Sequence, residues 1–137
     1  MEAQQESGGN CPRMFEVGVV AHFEAAHRLH GNFGPATRTH GHTYRVEAAA
    51  RGPTLRDDGT LFDITLLQQA LRDVLDALHY RDLDEIPGFQ GRNTTAEVVA
   101  QHLFDQIAPR LTGQGLASLA IRVWESPQAY ASFEDSV

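Results

Sequence analysis

The chain has 137 residues, enough for one domain with a real core, and carries a formal charge of −7 at ordinary apolar content. That acidity argues against a general nucleic-acid binder, which presents a basic face, and no uncharged apolar run is long enough for a transmembrane helix. The single cysteine, Cys11, excludes an intramolecular disulfide; no apolar stretch near the N-terminus resembles a secretory signal, so the expectation is a cytoplasmic protein.

Residues 1–13 are polar and are expected to be a disordered tail, with one domain over 14–137. Residues 14–26 predict a strand, because Phe15, Val17, Val19 and Ala21 alternate with Glu16, Gly18 and Val20. Turn chemistry fills 31–35, and a second strand follows over 43–50. In it Val46, Ala48 and Ala50 form one face and Arg45, Glu47 and Ala49 the other. Asp63 precedes a helix over 64–79, whose stripe is Leu67, Leu71, Val74, Leu75 and Leu78. A second helix opens at Thr94-Thr95-Ala96-Glu97, with Thr94 as cap and Glu97 closing a capping box, and Pro109 limits its end. Closing strands are expected over 116–125 and 129–133. Runs of strands and of helices, rather than strict alternation, favour an α+β domain. The expected form is a four-stranded antiparallel sheet with two helices on one face, its other face free for another subunit.

His40 and His42 are separated by one glycine at the start of the second strand. Side chains at i and i+2 of a strand share a face, so both rings can converge on one ion. If the segment around His27 pairs antiparallel with it, a third imidazole joins them. Three neutral imidazoles with an open position describe a catalytic zinc site rather than a closed structural one. His22, His30 and His102 read as surface or core positions.

The segments Phe23-Glu24-Ala25-Ala26-His27-Arg28-Leu29 and His40-Gly41-His42-Thr43-Tyr44 resemble the zinc signature of the 6-pyruvoyltetrahydropterin and 6-carboxytetrahydropterin synthase family. The resemblance continues through Gly59-Thr60-Leu61-Phe62-Asp63, 83–89, Asn93-Thr94-Thr95-Ala96-Glu97 and Trp124-Glu125-Ser126. It implies a tunnelling fold, in which sheets from several subunits close an oligomeric β-barrel as a trimer or hexamer. It implies Zn2+ held by His27, His40 and His42, and 7,8-dihydroneopterin triphosphate or a related pterin as substrate. Glu125 would anchor the ring as a bidentate acceptor, with Thr95 and Glu97 beside it. Glu97 can equally be a helix-capping residue alone.

Two departures bear on the chemistry. The family's cysteine, four residues before the first histidine of the pair, is Ala36 here, and its Asp-His pair is replaced by His79-Tyr80. His79 is therefore the candidate catalytic residue, since imidazole titrates near neutrality. Its other role is a helix-end cation. Glu24 and Asp63 are weaker candidates for a base. The function expected is a zinc-dependent lyase with altered acid–base residues. The alternative is a non-catalytic pterin- or purine-binding homologue.

Overall fold

Alternation along two long strands builds the sheet in this computed structural model, which describes residues 12–137. The tail expected over 1–13 lies, save its last two residues, outside the described residues, Cys11 with it. Strand β1 (Phe15–His27) pairs antiparallel with β2 (His40–Gly52) along its whole length, from Phe15↔Gly52 to His27↔His40. Odd residues of β1 and even residues of β2 point to one side, where Phe23, Tyr44, Val46 and Ala48 are buried. Phe23 and Tyr44 stack there, with ring centroids 4.7 Å apart.

Helix α1 (Ile64–Asp76) lies against β1, and α2 (Ala96–Ile107) against β4 (Ser118–Ser126) and β5 (Ala129–Ser136), both on that same side. Leu67, Leu71, Val99, Leu103, Leu119 and Ile121 close the core between the layers. Asp63 caps α1 by accepting from the Thr65 N–H at 3.0 Å, so the carboxylate weighed as a weak base is a cap. Pro109 stands in the short 3₁₀ turn Ala108–Leu111 that ends α2.

Three expectations need correction. Among the described residues the sheet has five strands and is mixed, in the order β3-β1-β2-β4-β5, because β3 (Arg81–Asp82) runs parallel to the end of β1. Two residues carry no periodicity, so sequence reading passes over them. The sheet is also open within one chain, not a closed barrel: β5 forms one edge, and β3 covers only Ala25 and Ala26 at the other. Finally, α1 stops at Asp76 rather than at 79. The chain has to turn back toward β1, and Tyr80 takes up the reversal at φ 60°, its N–H donating to the Glu24 carbonyl at 2.6 Å.

The face away from the helices is polar. Glu47 meets Arg45 at 3.0 Å and Arg122 at 3.5 Å, and Arg122 lies over the Tyr130 ring at 4.6 Å. Among the described residues no helix is long and apolar enough to cross a membrane.

Candidate metal centre

Strand register brings the three histidines together. His27 faces His40 directly, and His42 faces Ala25, which puts His42 diagonal to His27 on the helix side of the hairpin. Ring centroids are 4.6 Å apart for His27 and His40, 5.0 Å for His27 and His42, and 4.9 Å for His40 and His42. One ligating atom from each lies within 4.8 Å of the others. Around a tetrahedral zinc with bonds of 2.0–2.1 Å the nitrogens would stand roughly 3.4 Å apart, so small ring movements close the site.

Backbone carbonyls orient the rings. The Nδ1–H of His27 donates to the Thr94 carbonyl at 2.8 Å, and that of His40 to the Arg38 carbonyl at 2.7 Å. A carbonyl only accepts, so both protons sit on Nδ1 and both Nε2 atoms keep a lone pair. Among the described residues the Nε2 of His27 is buried without a partner. A buried acceptor left unpaired costs about 1–3 kcal/mol, and an ion at the centre would satisfy it. The His42 imidazole is held below its usual value, first by burial, with His27 and His40 acting the same way and Glu125 opposing. That favours the neutral form a metal ligand needs. Burial, then the Glu125 and Asp84 carboxylates, push the Tyr44 phenol well above its ordinary range. Its hydroxyl is buried without a partner beside the centre, at a ring distance of 5.3 Å from His42. The residues present therefore fit a divalent cation that prefers nitrogen ligands.

The other expected residues are less tightly gathered. Glu125 is half-buried and close enough to His42 to act on its charge. It is the extra residue of a β-bulge, since Trp124 pairs with Tyr130 and Ser126 with Ala129. Thr95, not Thr94, caps α2, accepting from the Val98 N–H at 3.2 Å. That moves Glu97 one place short of a capping-box position, and its side chain is exposed. His79 stands outside the cluster. Its Nδ1 accepts from the Glu24 backbone N–H at 3.0 Å, so its own proton is on Nε2. The Tyr80 ring lies against it at 3.9 Å. A cleft of about 490 Å³ at this end of the hairpin is lined by Glu24, His42, Thr43, Tyr80, Arg81 and Asp82. Ala36 lies in the short turn Gly34–Thr37, and its carbonyl accepts from the Leu29 N–H at 2.9 Å.

Sequence reasoning missed Thr94 and Asp84 as parts of this centre. Thr94 is fully buried against His27, and Asp84 accepts from its hydroxyl at 3.1 Å. The only available signal was the doubled threonine, which leaves one hydroxyl spare once the other caps the helix.

The fold and the sequence have parallels among known proteins. A 6-pyruvoyl tetrahydropterin synthase of Caenorhabditis elegans superposes with a TM-score of 0.77 at 26% identity, covering 91% of this chain and 98% of that one. The 6-pyruvoyl tetrahydrobiopterin synthase of Dictyostelium discoideum is 30% identical over 101 residues, 65% of this chain and 75% of the relative. The 6-carboxy-5,6,7,8-tetrahydropterin synthase of Bacillus subtilis is 27% identical over 126 residues, 89% and 86% respectively. The family profile described as 6-pyruvoyl tetrahydropterin synthase matches residues 16–136, nearly all of the described structure. With its hairpin of histidines, its helix-backed sheet and that match, the chain belongs to the 6-pyruvoyl tetrahydropterin synthase family.

Proposed function

We propose that the chain is a zinc-dependent lyase acting on 7,8-dihydroneopterin triphosphate or a related pterin, with His27, His40 and His42 as the metal ligands. The observation that carries the reading is the buried, unpartnered Nε2 of His27 among two further imidazoles. The names of the relatives, tetrahydropterin synthases of both kinds, supply the substrate class. Bound zinc would act as a Lewis acid on side-chain oxygens of the substrate. Glu125 would accept two N–H bonds from the pyrimidine edge of the ring, with Thr95 and Glu97 as further contacts. His79, with its proton on Nε2, is the candidate catalytic residue and would donate a hydrogen bond to the substrate. A depression of about 510 Å³ lined by Arg28, His30, Arg92 and Asn93 would receive the phosphates. The assembly that goes with this reading is a cytoplasmic homo-oligomer, trimer or hexamer, in which neighbouring sheets cover the bare strand edges.

The test is direct. Zinc-loaded protein is given dihydroneopterin triphosphate, and release of triphosphate with a new pterin product is followed by chromatography. Loss of turnover in Glu125→Gln with zinc content unchanged is the expected result. Absence of turnover on any dihydropterin, with metal bound, would overturn it. A second reading, ligand binding without conversion, is favoured by Ala36 in place of a thiol and by Tyr80, whose ring is 79% exposed where the family places a histidine. It predicts pterin binding that Glu125→Ala abolishes, with no product.

A further inference from the structure

His27 is the deepest of the three imidazoles, 1% exposed, and Thr94, 67 residues away, holds it. Its Nδ1 lies 2.8 Å from the Thr94 carbonyl and 3.2 Å from the Thr94 hydroxyl. The hydroxyl in turn reaches Asp84 Oδ1 at 3.1 Å, while Asp84 Oδ2 accepts from the Arg28 N–H at 2.8 Å.

Proton counting along this chain has one solution. An ionised carboxylate only accepts, so the single hydroxyl hydrogen of Thr94 points to Asp84. The Thr94 oxygen then offers His27 only a lone pair, as the carbonyl does. Both partners of Nδ1 are acceptors, so Nδ1 must carry the ring proton and Nε2 must be bare. Asp84 also ties the residue that follows His27, because Arg28 begins the loop leading to His40. One carboxylate thus makes the Thr94 hydroxyl a second acceptor beside the carbonyl, reinforcing the proton position of the ring, and anchors the backbone beside it.

We propose that Asp84 and Thr94 are positioning residues of the centre: the Asp84–Thr94–His27 chain locks His27 with its lone pair on Nε2 before any ion arrives. The proposal rests on the metal reading above for its consequence, tighter metal binding, but not for the proton position itself. Outer partners of this kind raise metal affinity by roughly 10–100-fold where they have been removed and compared.

Asp84→Asn is the informative variant because it is isosteric and reverses one polarity. The amide oxygen must face the Arg28 N–H, so the NH₂ group faces Thr94 and donates to its oxygen. The Thr94 hydroxyl hydrogen is then free to swing toward His27 Nδ1, where it favours the other tautomer. Thr94→Val removes the hydroxyl while keeping the carbonyl, and Thr94→Ser restores it.

Nitrogen-15 spectra of the metal-free proteins, recorded where all are folded, report the ring proton directly. The expected result is a single Nδ1–H form of His27 in wild type and Thr94→Ser, and a mixture in Asp84→Asn. Zinc titrations against a competing chelator should show affinity weakened about 10–100-fold in Asp84→Asn and Thr94→Val and restored in Thr94→Ser. A merely structural role would lower the melting temperature and leave the spectrum alone. An unchanged His27 spectrum in Asp84→Asn overturns the inference, whatever the affinity. So does a shifted spectrum with unaltered affinity in protein that binds zinc. Wild type that binds no zinc, yet shows the expected spectra, overturns the metal reading instead and leaves the tautomer lock standing.

Discussion

Replacing His40 by alanine separates metal binding from folding better than replacing either neighbour. His27 is fully buried, so its removal leaves a hole; His40 is half-buried and has one protein hydrogen bond, to the Arg38 carbonyl at 2.7 Å. Losing that bond costs the metal-free protein about 0.5–1.5 kcal/mol. Zinc at 100 times its dissociation constant stabilises a folded site by about 2.7 kcal/mol. At about 3–6 °C per kcal/mol for a domain of this size, wild type should melt roughly 8–16 °C higher with zinc than with chelator. If two imidazoles bind at least 100-fold more weakly than three, the variant at the same free zinc is at most half saturated. Its gain is then about 0.4 kcal/mol, or 1–2 °C. Differential scanning calorimetry in zinc-buffered and chelated solution reads both numbers. His22→Ala is the control, because His22 lies on the opposite face of β1 and should keep the whole shift. A His40→Ala protein that retains the wild-type zinc shift, or a wild type with none, refutes the reasoning.

Three further outcomes test the packing around the site. A Cβ on Gly88 would stand 2.8 Å from His102 Cε1, so Gly88→Ala should cost about 1–3 kcal/mol by denaturant unfolding, and most of that cost should vanish in a His102→Ala background. Burial, with Arg92 acting the same way and Asp105 opposing, holds the His102 imidazole below 6.5. Its neutral form is favoured in the fold, so its contribution is complete above about 6.5 and is lost as pH falls through the lowered value. The slope of melting temperature against pH in that range should flatten in His102→Gln; an identical slope rules this out. Tyr80→Gly should stabilise the protein by about 0.5–1 kcal/mol, since a left-handed tyrosine with an exposed ring gives up strain and little packing; a loss of stability would show the ring to be held by more than His79.

The gathering of the three histidines was legible in sequence because the repeat of a strand is two residues and a hairpin needs only antiparallel pairing to supply the third ring. His27, His40 and His42 follow from those two facts. Both helices were legible for a similar reason: Leu67, Leu71 and Leu75 recur at helical spacing, and Val99, Leu103 and Ile107 do so in α2. Partners chosen across long stretches of chain were not legible. Whether Thr94 or Thr95 caps α2 is decided by His27, 67 residues away, which takes Thr94 for itself. The direction of His79 was hidden likewise, because it depends on the Glu24 N–H, 55 residues distant, and on a helix that ends earlier than its apolar stripe. Asp84 lay in a motif that resembled the family's, yet its partners Arg28 and Thr94 belong to different elements.

Because Glu125 is the surplus residue of β4, with no counterpart across the ladder, chain length at the tip of the final hairpin governs where its carboxylate aims. Deleting one residue there would restore regular pairing and send the following side chains to the other side of the sheet. A single-codon deletion would therefore reshape the backbone that carries the acid, whereas exchanges of residue type near the tip leave the register intact. Variation among functional descendants of this chain should accumulate as exchanges of residue type at the tip, with its length held constant.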